Sequence, residues 1–275
     1  MELKHKAARE GRLSSFLKNE LAMSTGLINK LKWQEKLLVN GQPQHTDFAV
    51  KTGDVITVLT DEPEPEYPAE HEPVCVLFED DWFLAVDKPA GMLIHPSRSR
   101  LTGTLANYVL GYYQKTKQQS AFHPLTRLDR DTFGVVLLAK NAHIHALLSA
   151  QGFQKEYRAL VHDGPETQSG TIDAPIARLP LPSLLRHVHP DGKPSVTEFK
   201  VLHRGEAHSL LSLIPVTGRT HQLRVHCAHM GFPILGDPQY GIPDGYPHQQ
   251  LLAYKITLAH PITKAPLEIT SIIEL

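Results

Sequence analysis

Residues 126–139 read Thr126-Arg127-Leu128-Asp129-Arg130-Asp131-Thr132-Phe133-Gly134-Val135-Val136-Leu137-Leu138-Ala139. The second half, residues 134–139, is a short continuous apolar run. It is far too short to cross a bilayer and reads as a very apolar strand. The first half places two arginines and two aspartates in a loop that feeds this strand. A carboxylate in such a loop can be held ionised by neighbouring guanidinium groups and aimed at a substrate. The same residues can equally form a charged turn with a surface ion-pair net, and spacing alone leaves both readings open.

Working outward, residues 74–78, 83–87, 156–161, 196–202, 209–216, 250–259 and 268–274 read as further strands. Residues 142–150 read as a helix capped by Asn141, residues 221–230 as one capped by Thr220, and residues 104–113 as a third. Few connections have the regular length of a helical crossover. The expected fold class is therefore α+β, with a mixed, mostly antiparallel sheet.

The chain has 275 residues, of which 41% are hydrophobic and 21% charged. That suits one large domain or two unequal ones with a real core. Residues 61–73 read DEPEPEYPAEHEP, with six acids, four prolines and no base. Such a segment is expected to be a solvated linker rather than a packed element. It divides a small unit, residues 1–60, from a large one, residues 74–275. The small unit carries Leu13, Phe16, Leu17 and Leu21 at helical spacing, then Leu27, Ile28 and Leu31 behind a Ser24 or Thr25 cap. An Asn40-Gly41 hairpin and a closing strand over residues 50–58 complete it. Two helices and a small hairpin make a poor core alone, which suits either a recognition module or a mere appendage.

Net charge is −1 overall, yet residues 1–60 sum to +3 and residues 61–73 to −6. The whole chain is therefore no generic polyanion binder, and the small unit is its basic part. The start of the chain is too polar for a signal peptide, and no segment is apolar enough for a membrane span. Cys75 and Cys227 stand far apart, which excludes a disulfide scaffold and a cysteine zinc finger and fits a reducing cytoplasm.

A second polar segment is Val216-Thr217-Gly218-Arg219-Thr220-His221-Gln222-Leu223-Arg224. It reads as a strand end, a glycine turn and a helix start, where Arg219 and backbone N–H groups could meet a phosphate or carboxylate. An ordinary strand-to-helix turn is the other reading. Lys88, in Lys88-Pro89-Ala90-Gly91 after a strand, is either a phosphate contact or a solvated lysine. The chain has 17 histidines. His143/His145 and His187/His189 are i, i+2 pairs, a spacing that in a helix points to different sides. His221, His226 and His229 lie near no carboxylate within their helix, and no H-E-x-x-H occurs. A metal-dependent hydrolase is thus a weak third reading. G-x-G-x-x-G and Walker loops are missing too.

Three blocks taken together resemble the RluA-type pseudouridine synthases. The first runs from Leu77 through Asp87-Lys88-Pro89-Ala90-Gly91. The second is Arg127-Leu128-Asp129-Arg130-Asp131-Thr132 with Gly134. The third is Thr217-Gly218-Arg219-Thr220-His221-Gln222-Leu223-Arg224-Val225-His226, continued by Gly236-Asp237-Pro238-Tyr240-Gly241 with an insert at Gln239. Lys155-Glu156-Tyr157 falls where the family has its motif tyrosine. The small unit resembles the ribosomal-protein-S-four-type RNA-binding module. The likeness covers most of residues 10–275.

The resemblance implies an isomerase that turns uridine into pseudouridine in ribosomal or transfer RNA without cofactor or metal. RNA is the expected partner, with neither DNA nor membrane, in the cytoplasm and with a monomer as the default. Asp129 matches the catalytic aspartate, and Tyr157 the tyrosine that stacks on the target base. Arg219 matches the arginine that pairs with the aspartate, and Arg127 an RNA contact beside the flipped nucleotide. Lys88, Arg12 and Lys30 are further candidate RNA-binding cations. Thr126 stands where the family usually has His, and Phe133 where it usually has Ser. These departures bear on loop geometry and keep in play an alternative, an inactive RNA-binding or ribosome-assembly factor.

Overall fold

The computed structural model describes residues 2–60, 67–97 and 99–275. The large unit is built on one ten-stranded sheet. From one edge its main path runs Ser169–Asp173, Val196–Arg204, His208–Pro215, Gln154–His162, Leu251–Ala259, Phe133–Ala139, Phe83–Lys88 and Cys75–Glu79. Pro266–Thr270 pairs with Leu251–Ala259, and His123–Pro124 with Phe133–Ala139. Every described pairing in this sheet is antiparallel except one, where Phe133 faces Leu252 and Gly134 faces Ala253 in parallel. The expected mixed, mostly antiparallel sheet is what the chain forms.

The parallel contact is two residues long, because Pro266–Thr270 then takes over the edge of Leu251–Ala259 from Lys255 onward. Among the described residues, this is the one strand pairing that joins the two halves of the sheet. Gly134 makes the meeting possible: its φ is +107°, and a Cβ on it would lie 2.3 Å from the Ala253 carbonyl oxygen. The apolar run that follows alternates faces with the period of two that a strand imposes. Val135, Leu137 and Ala139 join Phe83 and Ala85 in one cluster, with Ile144 and Leu148 of helix Ala142–Gln151. Val136 and Leu138 join Leu84 and Val86 in another, with Leu105, Val109 and Tyr113 of helix Leu105–Lys115. Both faces are covered, which is why this strand has no polar alternation.

In the small unit, helices Leu13–Asn19 and Thr25–Trp33 lie where the periodicity places them, and the Ser24 hydroxyl caps the second by accepting from the Leu27 N–H at 3.2 Å. Asn40 and Gly41 both take positive φ, 51° and 80°, as a tight hairpin turn requires. Two strands among the described residues of this unit were not expected: the two-residue Gly11–Arg12, which pairs with Ala49–Val50, and Glu2–Lys6, which pairs with Val55–Leu59. The only buried apolar residue of Glu2–Lys6 is Leu3, too little for a pattern. The apolar residues of this unit share one cluster with Trp82 and Phe83 of the large unit, and the His143 ring bonds the Leu21 carbonyl at 2.9 Å.

Three other expectations need correction. Residues 61–66 of the expected linker lie outside the described residues, but its second part is packed. The Asn107 amide donates to the Pro68 carbonyl at 2.8 Å, and the Glu70 N–H donates to the Asn107 carbonyl at 2.9 Å. A Cβ on Gly111 would fall 1.9 Å from the Glu70 carbonyl oxygen, so the strap lies directly on the helix backbone. Proline denies this segment a ladder but leaves its carbonyls free to accept, and Asn107 supplies the donor. Second, helix Gln222–His229 starts later than expected, with His221 rather than Thr220 at the cap in a left-handed conformation (φ 58°). Third, the last strand ends at Thr270. The edge strand Ser169–Asp173 and the small hairpin of Ile176–Arg178 with Arg186–Val188 are too short to read from pattern.

Candidate active site

The loop ahead of Phe133 is tied down on several sides. The buried Thr126 hydroxyl accepts from the Leu137 N–H at 2.9 Å, and the Leu125 N–H donates to the Leu137 carbonyl at 2.8 Å. The residue type at 126 is thus a loop-to-strand staple. Phe133 is buried with its ring edge-on to His248, 5.5 Å between centroids. Both departures from the family pattern are packing residues of this loop.

Lys88 corrects an expectation. It is fully buried, and its ammonium donates to the carbonyls of Pro89, Met92 and Arg130, each at 2.9 Å. All three of its protons are used, so it cannot reach an RNA phosphate. Burial pulls its pKa down to about 8 against the opposing charges of Asp131 and Asp129. It holds the backbone one residue beyond Asp129.

Asp129 emerges from this loop into a cleft of about 450 Å³, which Arg127, Tyr157, Arg219, His221 and Arg224 also line. That is within the ordinary range for a small-ligand site. Tyr157 reaches it from strand Gln154–His162, at a register shift between Glu156 and Tyr157. Burial first, and the Asp129 charge second, push the Tyr157 phenol well above its ordinary value. It therefore stays protonated, and presents a ring and a hydroxyl rather than a phenolate. Arg127 is exposed at the rim.

The guanidinium that meets Asp129 belongs to Arg224, not to Arg219. Nη1 of Arg224 donates to Asp129 Oδ2 at 2.9 Å. Its other face is fixed by Asp237, with Nε to Oδ2 at 2.7 Å and Nη2 to Oδ1 at 2.8 Å. Nη2 also donates to the Gln239 side chain at 2.9 Å. Burial alone would raise Asp237, but the Arg224 hydrogen bonds and charge, with the N–H groups of Gln239 and Tyr240, hold it below the usual carboxylate range. Arg219 stands in the exposed turn before the helix, where Nε donates to the Pro194 carbonyl at 3.1 Å. The reason is helix phase: the turn Thr217–Arg219 is clamped by the Gln222 amide, which accepts from the Thr217 hydroxyl at 2.8 Å and the Arg219 N–H at 2.9 Å. The helix starts only at Gln222, and Arg224 is the arginine on its inner face.

A further pair was not singled out from sequence. His221 Nδ1 lies 2.8 Å from the Tyr240 hydroxyl, which accepts from the Arg186 N–H at 2.9 Å. The other ring nitrogen of His221, Nε2, lies 3.8 Å from Asp129 Oδ2. Burial pushes His221 below its ordinary value, with the Asp129 charge opposing. The Tyr240 ring also underlies the Arg224 guanidinium, 5.0 Å from its centroid. Both residues sit inside the quoted blocks, but nothing local marks them as partners.

Of the other histidines, His226 has both ring nitrogens engaged, by the Thr197 hydroxyl and the Ala174 carbonyl, each at 2.9 Å. Among the described residues no group of three His, Cys, Asp or Glu side chains is arranged to hold a metal ion, and no helix is long and apolar enough to cross a membrane. Arg12 and Lys30 are exposed on the small unit and do not line the cleft.

The junction that carries this loop can be tested for rigidity. Gly134→Ala is expected to cost roughly 3 kcal/mol, from overpacking against Ala253 and a left-handed backbone. Thermal unfolding should show a clear fall in Tm, and an unchanged Tm would mean that the two strands yield at no cost.

The family model described as RNA pseudouridylate synthase matches residues 82–229. A Bacillus subtilis protein, the uncharacterized RNA pseudouridine synthase YjbO, is 34% identical over 253 residues, covering 89% of each chain. Ribosomal large subunit pseudouridine synthase D of Buchnera aphidicola is 34% identical over 276 residues, covering 91% of this chain and 83% of its own. Among solved structures, human RNA Pseudouridylate Synthase Domain Containing 1 superposes with a TM-score of 0.61 at 25% identity, covering 74% of this chain and 85% of its own.

Proposed function

We infer that this chain, which belongs to the RNA pseudouridylate synthase family, isomerises uridine in ribosomal RNA with Asp129 as the carboxylate that acts on the ribose. The observation that carries the reading is a carboxylate in a cleft beside an aromatic ring, facing a guanidinium that a buried aspartate holds still.

The reaction breaks the bond from ribose C1′ to uracil N1, turns the base, and joins C5 to C1′. The C5 proton is lost and N1 gains one. Asp129 serves either by attacking C1′ or by removing a ribose proton to give a glycal, and both need it ionised. Arg224 meets that need with a fixed positive charge at 2.9 Å, already oriented before the substrate arrives. The target must leave its stack, at a cost of about a few kcal/mol, and the Tyr157 ring returns part of it beneath the freed base. Arg127 and Arg219, at the exposed side of the cleft, suit the phosphates flanking the flipped nucleotide. Residues 1–60 supply a second, basic RNA contact through Arg12 and Lys30, with residues 74–275 as the catalytic unit. The reading has the protein working as a cytoplasmic monomer, in keeping with two unpaired cysteines, Cys75 exposed and Cys227 buried.

The test is a map of pseudouridines. RNA from a strain lacking the gene is treated with carbodiimide and read by primer extension. One or more ribosomal sites should disappear and return with the wild-type gene. A site lost from transfer RNA instead would move the substrate class. No lost site, with no tritium release from uridine-labelled RNA by the purified protein, would end the reading.

A further inference from the structure

Helix Thr25–Trp33 buries Ile28 and Leu31 and turns the opposite side to solvent. Gly26, Asn29, Lys30 and Trp33 are all exposed and recur at the three- and four-residue spacing of a single helix face. Trp33 is 82% exposed, the most exposed large hydrophobic residue of the protein's described part. Lys32 Nζ stands 5.6 Å from its ring centroid. A Cβ on Gly26 would meet nothing within 4 Å, so the face stays open along its length. The helix holds two lysines and no acid, within a unit of net charge +3.

An exposed tryptophan costs solubility unless something covers it. A second protein surface would ordinarily bring an apolar ring of contacts around the indole. Here the neighbours along the face are Asn29, Lys30 and a glycine. A flat ring beside ammonium groups is instead the pairing that single-stranded nucleic acid uses, with a base on the ring and its phosphate on the cation. We propose that this helix face binds a single-stranded stretch of RNA, with one base stacked on Trp33 and the adjoining phosphates on Lys30 and Lys32. The inference rests on the reading of the protein as an RNA enzyme, and it deepens the contact proposed there for the small unit by naming single-stranded RNA as its ligand and Trp33 as its stacking residue. The RNA should therefore present an unpaired nucleotide away from the uridine that is modified.

The experiment uses the full chain with two probes, a dodecamer of oligouridylate and deproteinised ribosomal RNA from the gene-deleted strain. Trp82 is only 8% exposed, so a change of indole emission on binding reports Trp33. Oligouridylate should quench that emission, and a Trp33→Phe variant should bind with near wild-type affinity while showing no quench. Trp33→Ala should weaken binding of both probes roughly tenfold without changing the salt dependence, because no charge is lost. Lys30→Gln should lower the salt slope by about one phosphate contact. The Tm of each variant should match wild type, since these side chains are exposed. Wild-type binding with unchanged emission, or Trp33→Ala binding as tightly as wild type, would overturn the inference while tritium release left the enzyme reading standing. A Trp33→Ala protein that differs from wild type in sedimentation, with RNA affinity intact, would show instead that a second copy covers the face. Absence of RNA binding and of tritium release in the wild type would remove both readings together.

Discussion

Asp129→Asn is expected to abolish pseudouridine formation, by about three orders of magnitude or more, while leaving RNA affinity within a few-fold of wild type. The substitution is nearly isosteric. The amide oxygen it introduces carries no full charge, but it can still accept from Arg224 Nη1, which in the wild type lies 2.9 Å from Asp129 Oδ2. The side chain is 31% exposed, so the fold has little to lose. What vanishes is the negative charge that can attack C1′ or take a ribose proton. Binding does not depend on it, because phosphate contacts supply most of RNA affinity and a carboxylate opposes them. The measurement pairs tritium release with filter binding on the same RNA. Turnover above about a tenth of wild type would deny Asp129 its role, and lost affinity with lost turnover would make it a binding residue instead. In the cell, the variant should fail to restore the pseudouridines that the wild-type gene restores, which also separates an enzyme from an inactive RNA-binding factor.

The loop around Asp129 is legible in the sequence because its signals are local. An Arg/Asp cluster running into residues 134–139 already implies a polar loop set ahead of a very apolar strand. Tyr157 and Asp129 are far apart in the chain, and their meeting follows from the register beside Leu251–Ala259, which no local pattern contains. The choice between Arg219 and Arg224 is harder still. Both lie in one block of sequence, and the decision rests on where the helix begins. That in turn rests on the Gln222 side chain, which clamps the turn while anchored to Val196 and Thr197 of a distant strand. Lys88 misleads for a related reason: a lysine after a strand is ordinarily solvated, and only the fold brings the Arg130 carbonyl to it. The strap at residues 67–73 shows the limit of composition. Proline and acid predict solvation, yet one asparagine and one glycine of a helix suffice to dock its backbone.

Arg224→Ala should damage both turnover and stability, and Arg219→Ala should damage neither to the same degree. Removing the Arg224 guanidinium leaves Asp237, whose side chain is 1% exposed, as a buried charge without its bidentate partner. Breaking such a pair costs about 3–5 kcal/mol. It also strips Asp129 of its fixed donor, a loss worth roughly 10²–10³ in turnover by analogy with other preorganised donors. The two effects separate by pH. In the wild type Asp237 titrates below its unfolded value, so its contribution to stability is present at neutral pH and fades as pH falls through that lowered value. In Arg224→Ala the burial that opposes ionisation is countered only by the N–H groups of Gln239 and Tyr240, and the carboxyl moves up. The deficit of the variant should then be largest at neutral pH and shrink on acidification, as followed by urea unfolding across the pH range. Arg224→Lys, which keeps a charge but not the fork, should recover part of the stability and little of the turnover, since one ammonium cannot hold Asp237 and Asp129 together in that geometry. Arg219, exposed and bonded only through Nε to the Pro194 carbonyl, can be removed without stranding any buried group. Its loss should weaken RNA binding more than the chemical step. An Arg219→Ala enzyme without turnover but with wild-type affinity, beside an Arg224→Ala enzyme that works, would reverse the assignment.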